Sequence, residues 1–306
     1  MIDTKVKGTI IPIGGNEDKG TQRDESSKLN FVQKSILARV IRECKKPEPL
    51  IVVVPTASSI PAEVGEKYKA AFGQFEHVRT HILDIREKWQ AEDPSNLRWI
   101  EEADCVMFSG GNQSKITRTI CDTPMHELLM RRYQQEAFVI AGTSAGAMSM
   151  SEEMITGGKS TEALFKGAVK TGKGMRYIPE LIIDSHFIVR GRFGRLMEAV
   201  ARFPYLLGVG LAENTGLVVK NGTDCEVIGS GMVVLVNPSQ LTHNYEDILE
   251  SGTPMSLSNL IVHVLSVGDH FRLDNRELTI LPMDHDARVL LEKPYAYSTR
   301  KRRKLQ

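Results

Sequence analysis

The stretch Leu50-Ile51-Val52-Val53-Val54 limits the possible fold more than any other part of the chain. Side chains of a strand alternate between two faces, and here neither face offers a polar group to water. Such a strand must be covered on both sides, as strands are in a parallel sheet flanked by helices. The runs GTIIPIGG (8–15), HVRTHILDI (77–85), DCVMFSGGNQ (104–113) and FVIAG (138–142) read as further strands. Segments of helical period lie between them, at Phe31–Ile41, 62–75, 113–120 and Met125–Gln135. This alternation predicts an α/β fold with a doubly wound, largely parallel sheet.

The strands run into turns of small and polar residues: IGGNEDK, PTASS, SGGNQ and GTSAG. In open parallel sheets the ligand crevice lies at the carboxyl ends of the strands, so these turns are expected to converge on one site. After residue 150 the pattern changes. Residues 151–180, rich in Gly, Ser, Thr and Lys, predict an excursion or flap. ELIIDSHF (180–187) reads as a strand and Arg195–Arg202 as a helix. From about residue 208 short strands dominate, with Asn221-Gly222 as a hairpin turn. The expected organisation is a single α/β domain, 1–295, with a β-rich C-terminal extension from about 208, then a basic, solvated tail at 296–306.

The formal net charge of +1 gives no reason to expect a nucleic-acid or membrane partner. Four cysteines, far apart and outside any CxxC or Cys/His cluster, predict reduced structural thiols, a cytoplasmic setting and no metal site. No apolar run has signal-peptide or membrane-spanning length.

Gly142-Thr143-Ser144-Ala145-Gly146 fits the G-x-S-x-G nucleophile elbow. Small flanking residues let the chain turn sharply from strand to helix, so that the serine hydroxyl projects from the sheet. Small residues also serve close helix–strand packing, but the position directly after a strand favours the elbow. A serine hydroxyl needs a base, and His186, at the end of the ELIIDSHF run, is the best-placed histidine. Glu213, an acid interrupting the apolar run GVGLAENTGLVV at a turn, suits the orienting carboxylate better than Asp184, which is too near His186 in sequence. A turn-forming acid would occupy the same kind of position. The order Ser, His, acid differs from the Ser, acid, His order of α/β-hydrolases.

The motifs IGGNEDK, SGGNQ, GTSAGA, DSHF with its arginines, and AENT, in order between about residues 8 and 265, closely resemble the cyanophycinases, serine exopeptidases related to aspartyl dipeptidase (peptidase E). The resemblance implies a sheet of the class I glutamine amidotransferase-like type with serine in place of cysteine at the elbow. It implies a triad of Ser144, His186 and Glu213, and an oxyanion hole from the N–H groups of Gly111 and Ala145. Pocket roles would fall on Gln113, Asp184, Ser185, Arg190, Arg195 and, as a weaker match, Arg192. The implied substrate is a peptide, the β-linked Asp–Arg units of cyanophycin, released as dipeptides; no cofactor is implied, and a homodimer is. Two positions depart from the family pattern: Ser185 stands where glutamine is usual, and Ala212 where an acid is frequent. Amidotransferase relatives would need a cysteine at the elbow. A dipeptidase for α-aspartyl or other isoaspartyl dipeptides is the next reading, and a non-catalytic peptide-binding homologue the third.

Overall fold

The computed structural model describes residues 6–21 and 25–279, so the expected basic tail lies outside the described residues. The elements, in chain order, are β1 (Thr9–Ile13), α1 (Glu25–Lys34), α2 (Ile36–Glu43), β2 (Leu50–Val54), α3 (Pro61–Phe72), β3 (Arg79–Ile82), α4 (Pro94–Glu102), β4 (Cys105–Phe108), α5 (Gln113–Ile120), α6 (Pro124–Gln135), β5 (Val139–Thr143) and α7 (Ala145–Met148). There follow β6 (Glu153–Gly157), β7 (Lys170–Lys173), β8 (Leu181–Asp184), α8 (Phe193–Arg202), β9 (Leu207–Leu211), β10 (Thr215–Lys220), β11 (Asp224–Gly229), β12 (Val233–Asn237), β13 (Ile261–Leu265), β14 (His270–Arg272) and β15 (Leu278–Thr279).

The main sheet has the order β15-β14-β11-β10-β1-β5-β4-β2-β3. From β1 to β3 every pair is parallel, and from β1 outward through β10 every pair is antiparallel. Alternate side chains enter two separate cores. Ile10, Val52, Val54, Val106, Phe108 and Ile140 pack on one face, and Ile11, Ile51, Val53, Cys105, Met107 and Val139 on the other. The second core is closed by Phe31, Leu37, Val40, Tyr68 and Phe72 from α1, α2 and α3. The doubly covered sheet expected from Leu50–Val54 is the structure found.

Two features differ from the sequence expectation. The segment Phe31–Ile41 is two helices, because the Ser35 hydroxyl accepts from the Ala38 N–H at 3.1 Å and starts a new helix. Helix α4 was not foreseen: of its residues only Ile100 is buried, which leaves little apolar periodicity to read, although Asp93 caps it and Pro94 opens it.

The β-rich C-terminal part is not an appendage. Strands β10, β11, β14 and β15 extend the main sheet beyond β1, while β8, β9, β12 and β13 form a second sheet of order β13-β12-β9-β8. The 151–180 segment contains the β6–β7 hairpin, and its Met154, Ile155, Val169, Met175 and Tyr177 are buried in the core. The sequence reading of this segment as a flap missed those anchors because glycine and lysine dilute them.

Candidate active site

The sharp exit of β5 carries Ser144 with φ 51° and ψ −105°, a conformation costly for any residue with a Cβ. A side chain on Gly146 would bring its Cβ to 2.5 Å from the Phe108 carbonyl oxygen, so α7 can turn back over β4 only with glycine there. His186 lies just beyond β8, with φ 48°, and Glu213 stands in the link between β9 and β10, the crossing from the second sheet to the main one.

The three predicted residues form one hydrogen-bonded chain. Ser144 Oγ lies 3.0 Å from His186 Nε2, and His186 Nδ1 lies 2.6 Å from Glu213 Oε1. A carboxylate can only accept, so Nδ1 carries the proton and Nε2 is left to accept from the serine hydroxyl.

The end of β1 organises all three. The carbonyl of Ile13 accepts from Ser144 N–H, that of Gly14 from His186 N–H and that of Gly15 from Asn214 N–H, each at 2.8 Å. The Asn16 side-chain amide then donates to Glu213 Oε2 at 2.9 Å. Gly15 must be glycine: a Cβ there would stand 2.4 Å from His186 Cε1. Asn16, Ser144, His186 and Asn214 all have positive φ, so backbone strain is gathered at this one place.

Asn16 and its neighbour Glu17 were not among the predicted site residues, though the polar run NEDK after a glycine pair was the signal available. Hydrogen bonding from Asn16 and then from His186 holds the Glu213 carboxyl below its ordinary value. Asn16→Ala is expected to lower kcat about tenfold with little change in KM, the size of one charge-assisted hydrogen bond. Without the amide the Glu213 pKa rises, the carboxylate is protonated at higher pH, and the loss should deepen as the pH falls. Superimposable acid limbs in the two pH–rate profiles would contradict this.

Glu17 is a buried strut beneath the elbow. Its carboxylate accepts from Thr143 Oγ1 at 2.5 Å, from Lys19 Nζ at 2.8 Å and from the Tyr68 hydroxyl on α3. Burial alone would raise its pKa, but the Lys19 charge and these hydrogen bonds outweigh it and the pKa is lowered.

A cleft of about 360 Å³ opens over Ser144 and His186, with Gly111, Lys67, Tyr68 and Arg190 among its walls. Ala145 follows Ser144 at the start of α7 and is buried. Lys67 and Arg190 make no side-chain ion pair among the described residues, so the free charge at the cleft is positive.

Of the other predicted pocket residues, Ser185 lies beside the nucleophile, and Asp184, Arg192, Arg195 and Gln113 turn elsewhere. Asp184 is fully buried and accepts from Arg195 Nε at 2.7 Å, Arg195 Nη2 at 2.5 Å, Arg192 Nη1 at 2.9 Å and the Ser185 N–H at 3.0 Å. Arg195 also donates to Gly158 O, and Arg192 to Ser185 O. This ion cluster stiffens the turn that carries His186 and leaves Asp184 and Arg195 bonded to each other, outside the cleft walls. Gln113 donates to the Ile155 carbonyl at 2.6 Å and so ties α5 to β6. Ser185 is buried, with its hydroxyl 3.5 Å from Ser144 Oγ and 3.2 Å from Met148 Sδ. The sequence could not show that these polar groups satisfy one another.

Among the described residues no cluster of His, Cys, Asp and Glu is arranged to hold a metal, and no helix is long and apolar enough to cross a membrane.

Residues 24–227 match peptidase family S51. The cyanophycinase of Trichormus variabilis is 36% identical to this chain over 279 residues, covering 91% of this chain and 89% of that protein. The cyanophycinase of Geminocystis herdmanii is 31% identical over 266 residues, covering 87% and 94%. Among solved structures, a peptidase from an acI-B1 actinobacterium superimposes with a TM-score of 0.58 at 16% identity, covering 88% of this chain and 98% of that one, a likeness of fold.

Proposed function

The chain belongs to peptidase family S51 and is a serine-type exopeptidase, and on that premise we propose that it degrades cyanophycin, releasing β-Asp-Arg dipeptides through Ser144, His186 and Glu213. The observation that carries this reading is the continuous relay from Ser144 Oγ to His186 Nε2 at 3.0 Å and from His186 Nδ1 to Glu213 at 2.6 Å. The names of the similar cyanophycinases support the substrate.

In the proposed reaction His186 Nε2 takes the Ser144 proton as the oxygen attacks the scissile carbonyl. Glu213 stabilises the imidazolium, and the Gly111 and Ala145 N–H groups receive the oxyanion. The imidazolium then protonates the leaving amine, and water, activated by the same histidine, resolves the acyl-enzyme. The chemistry needs no metal or organic cofactor. Lys67 and Arg190 suit free carboxylates on the substrate, which a β-aspartyl link leaves available.

One observation favours a second reading, a dipeptidase for α-aspartyl or isoaspartyl dipeptides. Ser185, at a position where the resemblance expects glutamine, spends its short side chain on Met148 and Ser144 and presents nothing to a polymer. Incubating the protein with purified cyanophycin and, separately, with a panel of α- and β-aspartyl dipeptides decides between them, with Ser144→Ala as the blank. Release of β-Asp-Arg from the polymer, absent in the blank, is the expected result. Cleavage of dipeptides alone would select the second reading.

A further inference from the structure

A larger cavity, of about 560 Å³, lies alongside α5 and apart from the catalytic cleft. Ser114, Thr117, Arg118 and Cys121 face it, the i, i+3, i+4 and i+7 positions that make one side of a helix. Lys173 and Arg176, from the β6–β7 hairpin and the residues after it, face it from across the cavity.

Lys173 lies 4.0 Å from Glu152, which also lines the cavity, but the other charges there are not spent on one another. Arg118 and Arg176 are exposed, and among the described residues neither guanidinium has a hydrogen bond or ion pair. Asp122, also lining the cavity, has a carboxylate equally without a partner. Lys173 differs, being bonded to Glu153. Burial, and then Asp122, push the pKa of the Cys121 thiol up to about 11, which disfavours its thiolate. His126, which also lines the cavity, has Nε2 2.9 Å from the Met175 carbonyl, so the groups left free there are ones that bind. Two free guanidiniums and one free carboxylate suit a ligand that carries a carboxylate close to a cation.

We propose that this cavity is a second, non-catalytic binding site for the arginyl arms of the polymer, each with its free carboxylate and guanidinium, whose end is cut at Ser144. The assignment rests on the cyanophycin reading above. The loop before α5 supplies Gly111 to the cleft while the helix itself supplies Ser114 to Cys121 to the cavity, so one rigid element joins the two sites. A chain of many dipeptide units can engage both, and the second contact raises its effective concentration at the first.

The test compares binding of Ser144→Ala protein and of the triple variant Ser144→Ala/Arg118→Ala/Arg176→Ala to purified cyanophycin by co-sedimentation. Triple-variant binding at least tenfold weaker is expected. With Ser144 intact, Arg118→Ala/Arg176→Ala should cut a two-unit β-Asp-Arg oligomer, which fills the cleft alone, with unchanged kcat and KM. Both arginines are exposed and unpartnered, so equal thermal midpoints are expected and confirm folding. A control pair, Arg79→Ala/Arg131→Ala, removes the same charge from elsewhere on the surface. Equal binding with and without Arg118 and Arg176, or an equal loss in the control pair, while the unmutated enzyme still cuts cyanophycin, would overturn the second site alone. If the unmutated enzyme neither binds nor cuts cyanophycin, the substrate reading falls and this site with it.

Discussion

Ser144→Gly should lose about four orders of magnitude or more in kcat, yet be more stable than Ser144→Ala. The first half follows from removing the hydroxyl that His186 Nε2 contacts at 3.0 Å with Glu213 behind it. The second half follows from the backbone. Glycine ordinarily costs about 0.5–1 kcal/mol relative to alanine because the unfolded chain gains freedom. At φ 51° and ψ −105° the sign reverses, because alanine keeps the Cβ strain that serine has and glycine does not. With strain on the order of 1–3 kcal/mol, glycine should lead alanine by about 1 kcal/mol, or about 2 °C in Tm for a chain of this size. Calorimetry on the two variants, each inactive, measures it without interference from turnover. If alanine proves as stable as glycine, the elbow is not strained and the positive φ values around it need another cause.

The largest loss of stability is expected from Asp184→Asn. The carboxylate is inaccessible to water and accepts four hydrogen bonds, three of them from Arg192 and Arg195. Asparagine is nearly isosteric, but it removes the charge and turns an NH2 group toward guanidinium donors. Arg195, itself buried, is then left without its counter-ion, and breaking such a pair costs about 3–5 kcal/mol. Urea denaturation of the two proteins gives the value directly. Asp184→Asn/Arg195→Gln should cost clearly less than the sum of its single changes, because the second change removes the stranded charge. A loss below about 1 kcal/mol for Asp184→Asn, or strict additivity in the double variant, would mean that solvent reaches the cluster and relieves it.

Legibility followed the range of the interactions. Leu50–Val54 announced a strand covered on both faces because burial on two faces leaves a local mark, a run without polar residues. The helix at Gln113–Ile120 was equally plain, with Asn112 capping its first turn. Helix α4 was not, since its amphipathic signal rests on Ile100 almost alone. The β6–β7 segment was underestimated because the few residues that anchor it are separated by glycines and lysines. Ser144, His186 and Glu213 could be ranked one by one from the turns they occupy. Among the pocket residues Arg190 does line the cleft, but Arg192 and Arg195 do not, because whether an arginine faces a substrate or a buried aspartate depends on how distant parts of the chain pack.

By itself, then, the sequence determined the parallel doubly wound sheet, the sharp turn at Ser144 and the kinds of side chain gathered at the strand ends. Local chain chemistry suffices for those, since burial pattern and turn geometry are written within a few residues. Only the tertiary structure decided that β10 and its neighbours continue the sheet past β1, and that three successive carbonyls, of Ile13, Gly14 and Gly15, hold the backbones of Ser144, His186 and Asn214. It alone decided that Asn16 steadies Glu213 and that Asp184 consumes Arg195. Each of these is a hydrogen bond between groups that folding brings together, and a donor's choice among distant acceptors leaves no trace in its immediate sequence.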